Sequence, residues 1–220
     1  MTVLLALAGF YAAMMILRYG RRGVLALAPS LVSSRSTTGG PLPTEAQRAA
    51  AEVLLPLGFQ RLGSRVEDGP LRGLVLRSEA FAEADGVVFA DVFEMAPRPG
   101  DVARVQFLST FRDGAAALTA NHARTTRSGR RGEVAGLPGT ALDQVLQVHR
   151  RAVARLAAAH GPALPARDLP GRDAAAHAWY RGLGGQELRS RFAVYLGNTV
   201  VAVALLAYCL ASLVRSRPAS

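Results

Sequence analysis

Two uncharged apolar runs constrain this chain more than anything between them. Met1–Leu17 (MTVLLALAGFYAAMMIL) stops abruptly at Arg18, Arg21 and Arg22. Phe192–Val214 (FAVYLGNTVVAVALLAYCLASLV) is 23 residues long and lies between Arg189/Arg191 and Arg215/Arg217. At a rise of about 1.5 Å per residue, a helix of that length crosses a hydrocarbon core of roughly 30 Å with some tilt. A water-exposed helix needs a polar face, and the second run has none. Both runs therefore read as transmembrane helices, over 1–17 and 192–214. A cleavable secretory signal normally opens with a basic residue, and here none precedes the apolar run. The small-residue triplet Ala26-Leu27-Ala28 lies beyond the arginines and directly before Pro29, so the first run reads as a retained anchor. Small residues four apart (Ala8/Ala12, Gly9/Ala13, Ala193/Gly197, Ala207/Ala211) would let the two helices pack closely. Asn198 is expected to sit shallowly, near the interface.

Charge supports the same picture. The formal net charge of +10 is carried by 26 basic residues, all of them arginine. Residues 18–43 hold four arginines and no acid, whereas 44–160 hold 15 arginines against 13 acids. The excess flanks the apolar runs, which suits an anionic membrane surface better than nucleic acid. Arg18, Arg21, Arg22, Arg35, Arg181, Arg189 and Arg191 face the middle of the chain, against Arg215 and Arg217 on the far side. By the positive-inside bias, the middle is predicted to be cytoplasmic at the plasma (inner) membrane, with both termini outside. The lack of lysine excludes Schiff-base and P-loop lysine chemistry. Cys209, the single cysteine, excludes an internal disulfide and a cysteine-based metal site within one chain.

Between the runs, 18–43 reads as a basic, interfacial segment. Within it Gly23–Val32 is apolar and Ser33–Pro43 has linker composition. Residues 44–160 are predicted to form one α+β domain. A helix opens at Thr44, in capping-box spacing with Gln47, and buries Ala50, Val53, Leu54 and Leu57. An antiparallel meander of about five strands follows, over 59–66, 71–80, 86–95, 103–111 and 115–120. Asp68-Gly69-Pro70, Pro97–Gly100 and Arg112-Asp113-Gly114 supply its turns. The 86–95 stretch (GVVFADVFEM) has the composition of a half-buried strand. A second long helix covers Thr140–His160, with Leu142, Val145, Leu146, His149, Val153 and Leu156 along one stripe. The two helices are expected on one face of the sheet. Residues 161–191 read as a proline-studded linker and a juxtamembrane helix near 173–183. There Trp179, Tyr180 and Arg181 suit either a membrane interface or packing on the domain.

Ser109, Asp113 and His122 bring a nucleophile, an acid and a base into one short stretch. Asp113 before Gly is ordinary turn chemistry, and no G-x-S-x-G elbow surrounds Ser109, so a hairpin is the stronger reading. The loop His122–Arg131 carries Arg124, Arg127, Arg130 and Arg131, which suit an anion or lipid headgroup, or plain solvation. It lacks the aromatic residues that stack on bases, so nucleic acid is not an expected partner. His149 is expected to be a hydrogen-bonded, partly buried helix residue rather than a ligand, and His160 lacks a completing ligand set. Asp91 and Glu94 fall on opposite strand faces, which argues against a carboxylate dyad. No catalytic residue, metal or cofactor is assigned. The expected function is a two-pass membrane protein presenting a non-catalytic partner-binding or signalling domain. Its partners would be the bilayer and another membrane or cytoplasmic protein. The alternative is a membrane-associated enzyme acting on a lipid or other anionic substrate.

Overall fold

The computed structural model describes residues 2–37, 45–93 and 103–215. Thr44, Glu94 and the turn expected at 97–100 lie outside them. Helix α1 spans Thr2–Leu27, ten residues beyond the apolar run, and includes Arg18, Arg21 and Arg22. No proline occurs before Pro29, so the arginines extend the helix rather than end it. Leu25 and Ala26, expected to lie at the interface, are instead buried. After a 3₁₀ turn at Pro29–Leu31, Ser33–Ser36 forms strand β1, where linker composition had suggested none. Backbone pairing with a neighbouring strand outweighs the weak local propensity there.

Helix α2 (Glu45–Leu54) is followed by β2 (Phe59–Asp68), β3 (Val75–Glu83), β4 (Phe89–Phe93), β5 (Val105–Thr110) and β6 (Ala116–Ala120). Next come β7 (Arg127–Gly129), β8 (Gly132–Gly136), α3 (Leu142–His160), α4 (Leu169–Arg181), α5 (Leu183–Ser190) and α6 (Phe192–Arg215). The eight strands form one sheet in the order β1-β2-β3-β4-β5-β6-β8-β7. Strands β1 to β6 are an antiparallel meander, whereas β8 runs parallel to β6 and antiparallel to β7. The expected five-stranded antiparallel sheet is thus extended at both edges and mixed in sense. The β7–β8 hairpin folds back to place its second arm beside β6. Its arms, RSG and GEVAG, are too short and glycine-rich to carry a period-two signal.

Helices cover both faces of the sheet rather than one. Alternate residues separate cleanly: Ala90, Val92, Val105 and Phe107 pack with Ala50 and Leu54 of α2 and Val145 and Leu146 of α3. Phe89, Leu108, Ala116 and Leu118 pack on the opposite side with Ala175, Trp179 and Tyr180 of α4 and with Leu25 at the end of α1. Strands β4, β5 and β6 are consequently buried along their whole length, so the half-buried strand expected near residue 90 is covered on both sides. The turn joining β5 to β6 follows the sequence reading: Gly114 takes φ 84° and the Asp113 carboxylate accepts from the Ala115 N–H at 3.1 Å.

Helices α1 and α6 pack as an antiparallel pair. Tyr19 meets Tyr195 with ring centroids 6.5 Å apart, while Gly9 lies opposite Leu206 and Cys209. Ala12, Ala202 and Cys209 are buried in the seam, and half-buried Asn198 lies on the same face of α6. Gly197 and Ala207, expected in the contact, are outside it. Both helices are long and apolar enough to cross a membrane, and only 11% of each most apolar stretch is buried. Val3, Leu4, Phe10, Val201 and Val214 are 68–72% exposed. A continuous apolar surface of this kind is far larger than a water-soluble monomer normally displays. Only Arg191, in near-helical geometry (φ −94°, ψ −4°), separates α5 from α6.

Candidate functional site

Beneath α4 lies a buried network of charges. Asp91, on β4, is 1% exposed and sits opposite Arg65 and Glu67 of β2 and Arg172 and Asp173 of α4. Arg172 grips Asp91 side-on, with Nε donating to Oδ1 at 3.2 Å and Nη2 donating to Oδ2. Gln106 on β5 donates to the same Oδ2 at 3.3 Å. Arg65 donates from Nη1 to Glu67 at 2.8 Å and to Asp91 at 3.4 Å, from Nε to Asp173 at 3.2 Å, and from Nη2 to Ser34. The Ser34 hydroxyl in turn donates to Asp173 at 2.5 Å, which fastens β1 to α4. The Tyr180 hydroxyl donates to Glu67 at 2.5 Å.

Burial works against the ionised form of Asp91. The Arg172 and Arg65 charges and the hydrogen bonds from Arg172 and Gln106 outweigh it and hold the carboxyl below its ordinary range. Arg65 likewise suffers from burial, yet Asp91 and Glu67 raise it above the usual arginine value. Burial and the Glu67 charge push the Tyr180 phenol well up, so it remains a proton donor. These are paired, hydrogen-bonded ions, the condition under which charge survives in an interior. Their effect is to fix the position of α4. A shift of α4 along the sheet would take Arg172 from Asp91 and Asp173 from Arg65.

The network continues outward through Arg124, one of the four arginines of the loop. Arg124 turns inward, donating to Gln106 Oε1 at 3.0 Å and to Glu187 of α5 at 2.9 Å, with its guanidinium 5.8 Å from the Trp179 ring centre. Glu187 also accepts from Arg191 at 3.0 Å. Arg127 donates to the Ser190 hydroxyl at 3.0 Å, which places β7 beside the start of α6. Arg130 and Arg131 are exposed. The four arginines do not converge on one point. Trp179 and Tyr180 pack in the interior rather than at a membrane interface. Gly184 lies so close to the Trp179 indole that a Cβ there would meet Nε1 at 2.2 Å.

Between the sheet and α4–α5, next to this network, is a cavity of about 180 Å³. Glu67, Gln106, Arg124, Arg172, Glu187 and Arg191 form its polar side. Leu74, Leu76, Leu108, Ala176, Trp179 and Leu188 form its apolar side. The Nη1 of Arg172 is buried and has no hydrogen-bond partner. Sequence reasoning missed this site because Arg65, Asp91 and Arg172 are far apart in the chain. The one local signal was a charged residue, Asp91, within an otherwise apolar strand.

The other titratable groups separate into structural pairs. Ser109 and His149 are 0% exposed. The Ser109 hydroxyl donates to the Val87 carbonyl at 2.8 Å, so it accepts from His149 Nε2 at 3.0 Å. His149 Nδ1 then accepts from the Thr119 hydroxyl at 3.1 Å. The serine proton points away from the imidazole, so His149 cannot act as its base. Burial and the nearby Arg150 push His149 down to about 3. His149→Phe is expected to cost about 1–3 kcal/mol, because Thr119 and Ser109 lose a buried partner. Chemical denaturation at neutral pH measures this. The neutral imidazole stabilises the fold fully above about 6.5, and its contribution falls away as the pH drops toward about 3.

His160 behaves oppositely. Its two nitrogens face the Asp113 carboxylate and the Arg130 carbonyl, both at 2.6 Å. Two acceptors require a protonated ring, and the hydrogen bond to Asp113 raises its pKa. This contact ties the β5–β6 turn to the β7–β8 turn. His122 stands edge-on to Phe93, and burial with the Arg124 and Arg104 charges lowers it to about 4. Ser109, Asp113 and His122 thus have separate partners and make no triad. Among the described residues, no group of three or more His, Cys, Asp or Glu side chains could hold a metal ion. No protein-family model, curated protein or solved structure matches this chain.

Proposed function

We propose that this chain is a two-pass integral membrane protein. Its antiparallel helix pair holds one α+β domain against the cytoplasmic face of the bilayer, where the domain acts as a non-catalytic binding or signalling module. The carrying observation is the α1–α6 pair itself, apolar on its outer surface and joined to the domain at a single end. Leu25 anchors α1 in the core between the sheet and α4, and α5 leads into α6 through one residue. The bond between Arg127 and Ser190 sets one further arginine beside the start of α6. A cationic rim around the helix ends suits the anionic inner leaflet and sets the orientation. The buried Ser109–His149 pair, with its serine proton turned away, supports a non-catalytic role.

The experiment is topology mapping on intact cells and on inverted membrane vesicles. The chain should stay in the pellet after carbonate washing. Protease added outside intact cells should leave residues 45–190 whole, whereas the same protease on inverted vesicles should cleave them. Release by carbonate, or digestion of the centre from outside, would overturn the reading.

A further inference from the structure

We propose that the tip of the β2–β3 hairpin, Pro70-Leu71-Arg72, is a third membrane contact, with Leu71 entering the lipid interface and Arg72 meeting anionic headgroups. The inference rests on the membrane reading of α1 and α6, and its experiment separates the two. Three observations carry it.

The first is direction and depth. The hairpin lies along the last part of α1 and points back toward the apolar run. At its shoulder, a Cβ on Gly69 would meet Leu25 Cδ1 at 2.9 Å. At its tip, a Cβ on Gly73 would meet the Arg21 carbonyl oxygen at 2.5 Å, one helical turn nearer Leu17. From Leu17 to Arg21 is about 6 Å along the helix axis. Each headgroup layer is about 5–7 Å deep. With the apolar run of α1 in hydrocarbon, the tip therefore stands at headgroup depth, and a tilted helix brings it lower still.

The second is chemistry. Residues 69–77 read GPLRGLVLR, which combines leucine, valine and two arginines with no acid. Leu71 is 65% exposed and Val75 47%. Arg72 is exposed, as are Arg18 and Arg21 on the adjoining part of α1. The nearest acids in the hairpin, Glu67 and Asp68, lie on the domain side of Gly69 and are not exposed. Aliphatic side chains among cations suit the boundary of an anionic leaflet.

The third is the backbone. Among the described residues, Leu71 and Arg72 are the two non-glycine residues with positive φ, both at 53°. The left-handed region disfavours side chains with a Cβ and is commonly filled by glycine or asparagine. Leucine at this turn neither suits the local backbone nor packs into the domain. Strained backbone of this kind collects where a function opposes local stability. Contact with lipid gives the Leu71 side chain an apolar environment that the domain does not. It also adds a point of support beside the helix junctions, which restrains the domain from rocking about the α1–α6 pair.

Depth measurement by a nitroxide spin label tests this. The full chain carrying Cys209→Ala and Arg72→Cys keeps Leu71 in place. It is labelled at position 72 and reconstituted into vesicles of phosphatidylcholine and phosphatidylglycerol. Collision with a nickel chelate reports water, and collision with oxygen reports lipid. Val203→Cys on α6 and Gln144→Cys, exposed on α3, are the lipid and water references. The chelate should reach the label at 72 at least about threefold less often than the label at 144, while oxygen still reaches it. Leu71→Cys, labelled in the same background, should give the same result and replaces the first variant if that one fails to fold.

Chelate access at 71 and 72 equal to that at 144, with 203 protected, overturns the hairpin contact and leaves the membrane reading standing. Chelate access at 203 equal to that at 144 overturns both. Labels at 71 and 72 shielded from oxygen as well as from the chelate would place the tip against protein rather than lipid, which also overturns the proposal.

Discussion

Asp91→Asn is expected to destabilise the folded region by about 3–5 kcal/mol, because it leaves Arg65 and Arg172 buried without their shared counter-charge. The asparagine keeps the size of the side chain, so no cavity confuses the result. A loss of this size is a large fraction of the roughly 5–15 kcal/mol that holds an ordinary domain together. It should lower Tm by roughly 10 °C in a chain of this length. The double replacement Asp91→Leu with Arg172→Met removes both charges of the central pair and keeps apolar volume. It should recover much of the loss, since buried pairs often replace well by apolar residues when both partners go together. The pair of measurements separates the cost of an orphaned charge from the worth of the ion pair. A change in stability below about 1 kcal/mol for Asp91→Asn would show that water reaches the network. The carboxyl of Asp91 is held below its ordinary value of 3.8. Its stabilising contribution is therefore complete at neutral pH and is lost only as the pH falls below that value.

The second large effect concerns the helix pair. Val203 lies near the middle of α6 and is 49% exposed. Val203→Arg should reduce membrane integration of α6 by about 2.5–3.5 kcal/mol, roughly a hundredfold in the partition between inserted and excluded forms. The readout is the fraction of the chain resisting carbonate extraction, compared with that of Val203→Leu, which should be unchanged. On a helix lying in water, an arginine at a half-exposed position would cost no more than about 0.5 kcal/mol. The two environments therefore give answers far enough apart to be told from one gel.

The sequence made different levels of this structure legible to different degrees, for physical reasons. The α1 and α6 helices and α3 announced themselves because their periodicity, or its absence, runs through many residues. The Asp113-Gly114 turn was legible because glycine is the residue that a positive φ favours. The middle strands were recognisable, but their burial on both faces was not, since FADVF and AALTA could serve a sheet covered on either one side or two. Strands β1, β7 and β8 escaped notice because SSRS, RSG and GEVAG owe their structure to neighbouring strands rather than to their own propensity. The arginines were the hardest to place. Arg124 and Arg127 look alike in a loop rich in Thr, Ser and Gly. One is drawn inward by Gln106, Glu187 and the Trp179 ring, and the other reaches only Ser190 at the surface. The partners of Asp91 sit 26 residues before it and 81 after it, so no local pattern joined them.

The near-continuous passage from α5 into α6 has a mechanical meaning. Glu187 and Leu188 belong to the cavity wall, and just beyond Arg191 begins a rod of 24 residues, about 36 Å long. Pivoting that rod by about 5° at its near end would sweep its tip sideways by about 3 Å, roughly the width of one methylene chain. Whatever shifts Glu187 or Leu188 is thereby passed to the far end of α6, with only Arg191 between the two helices.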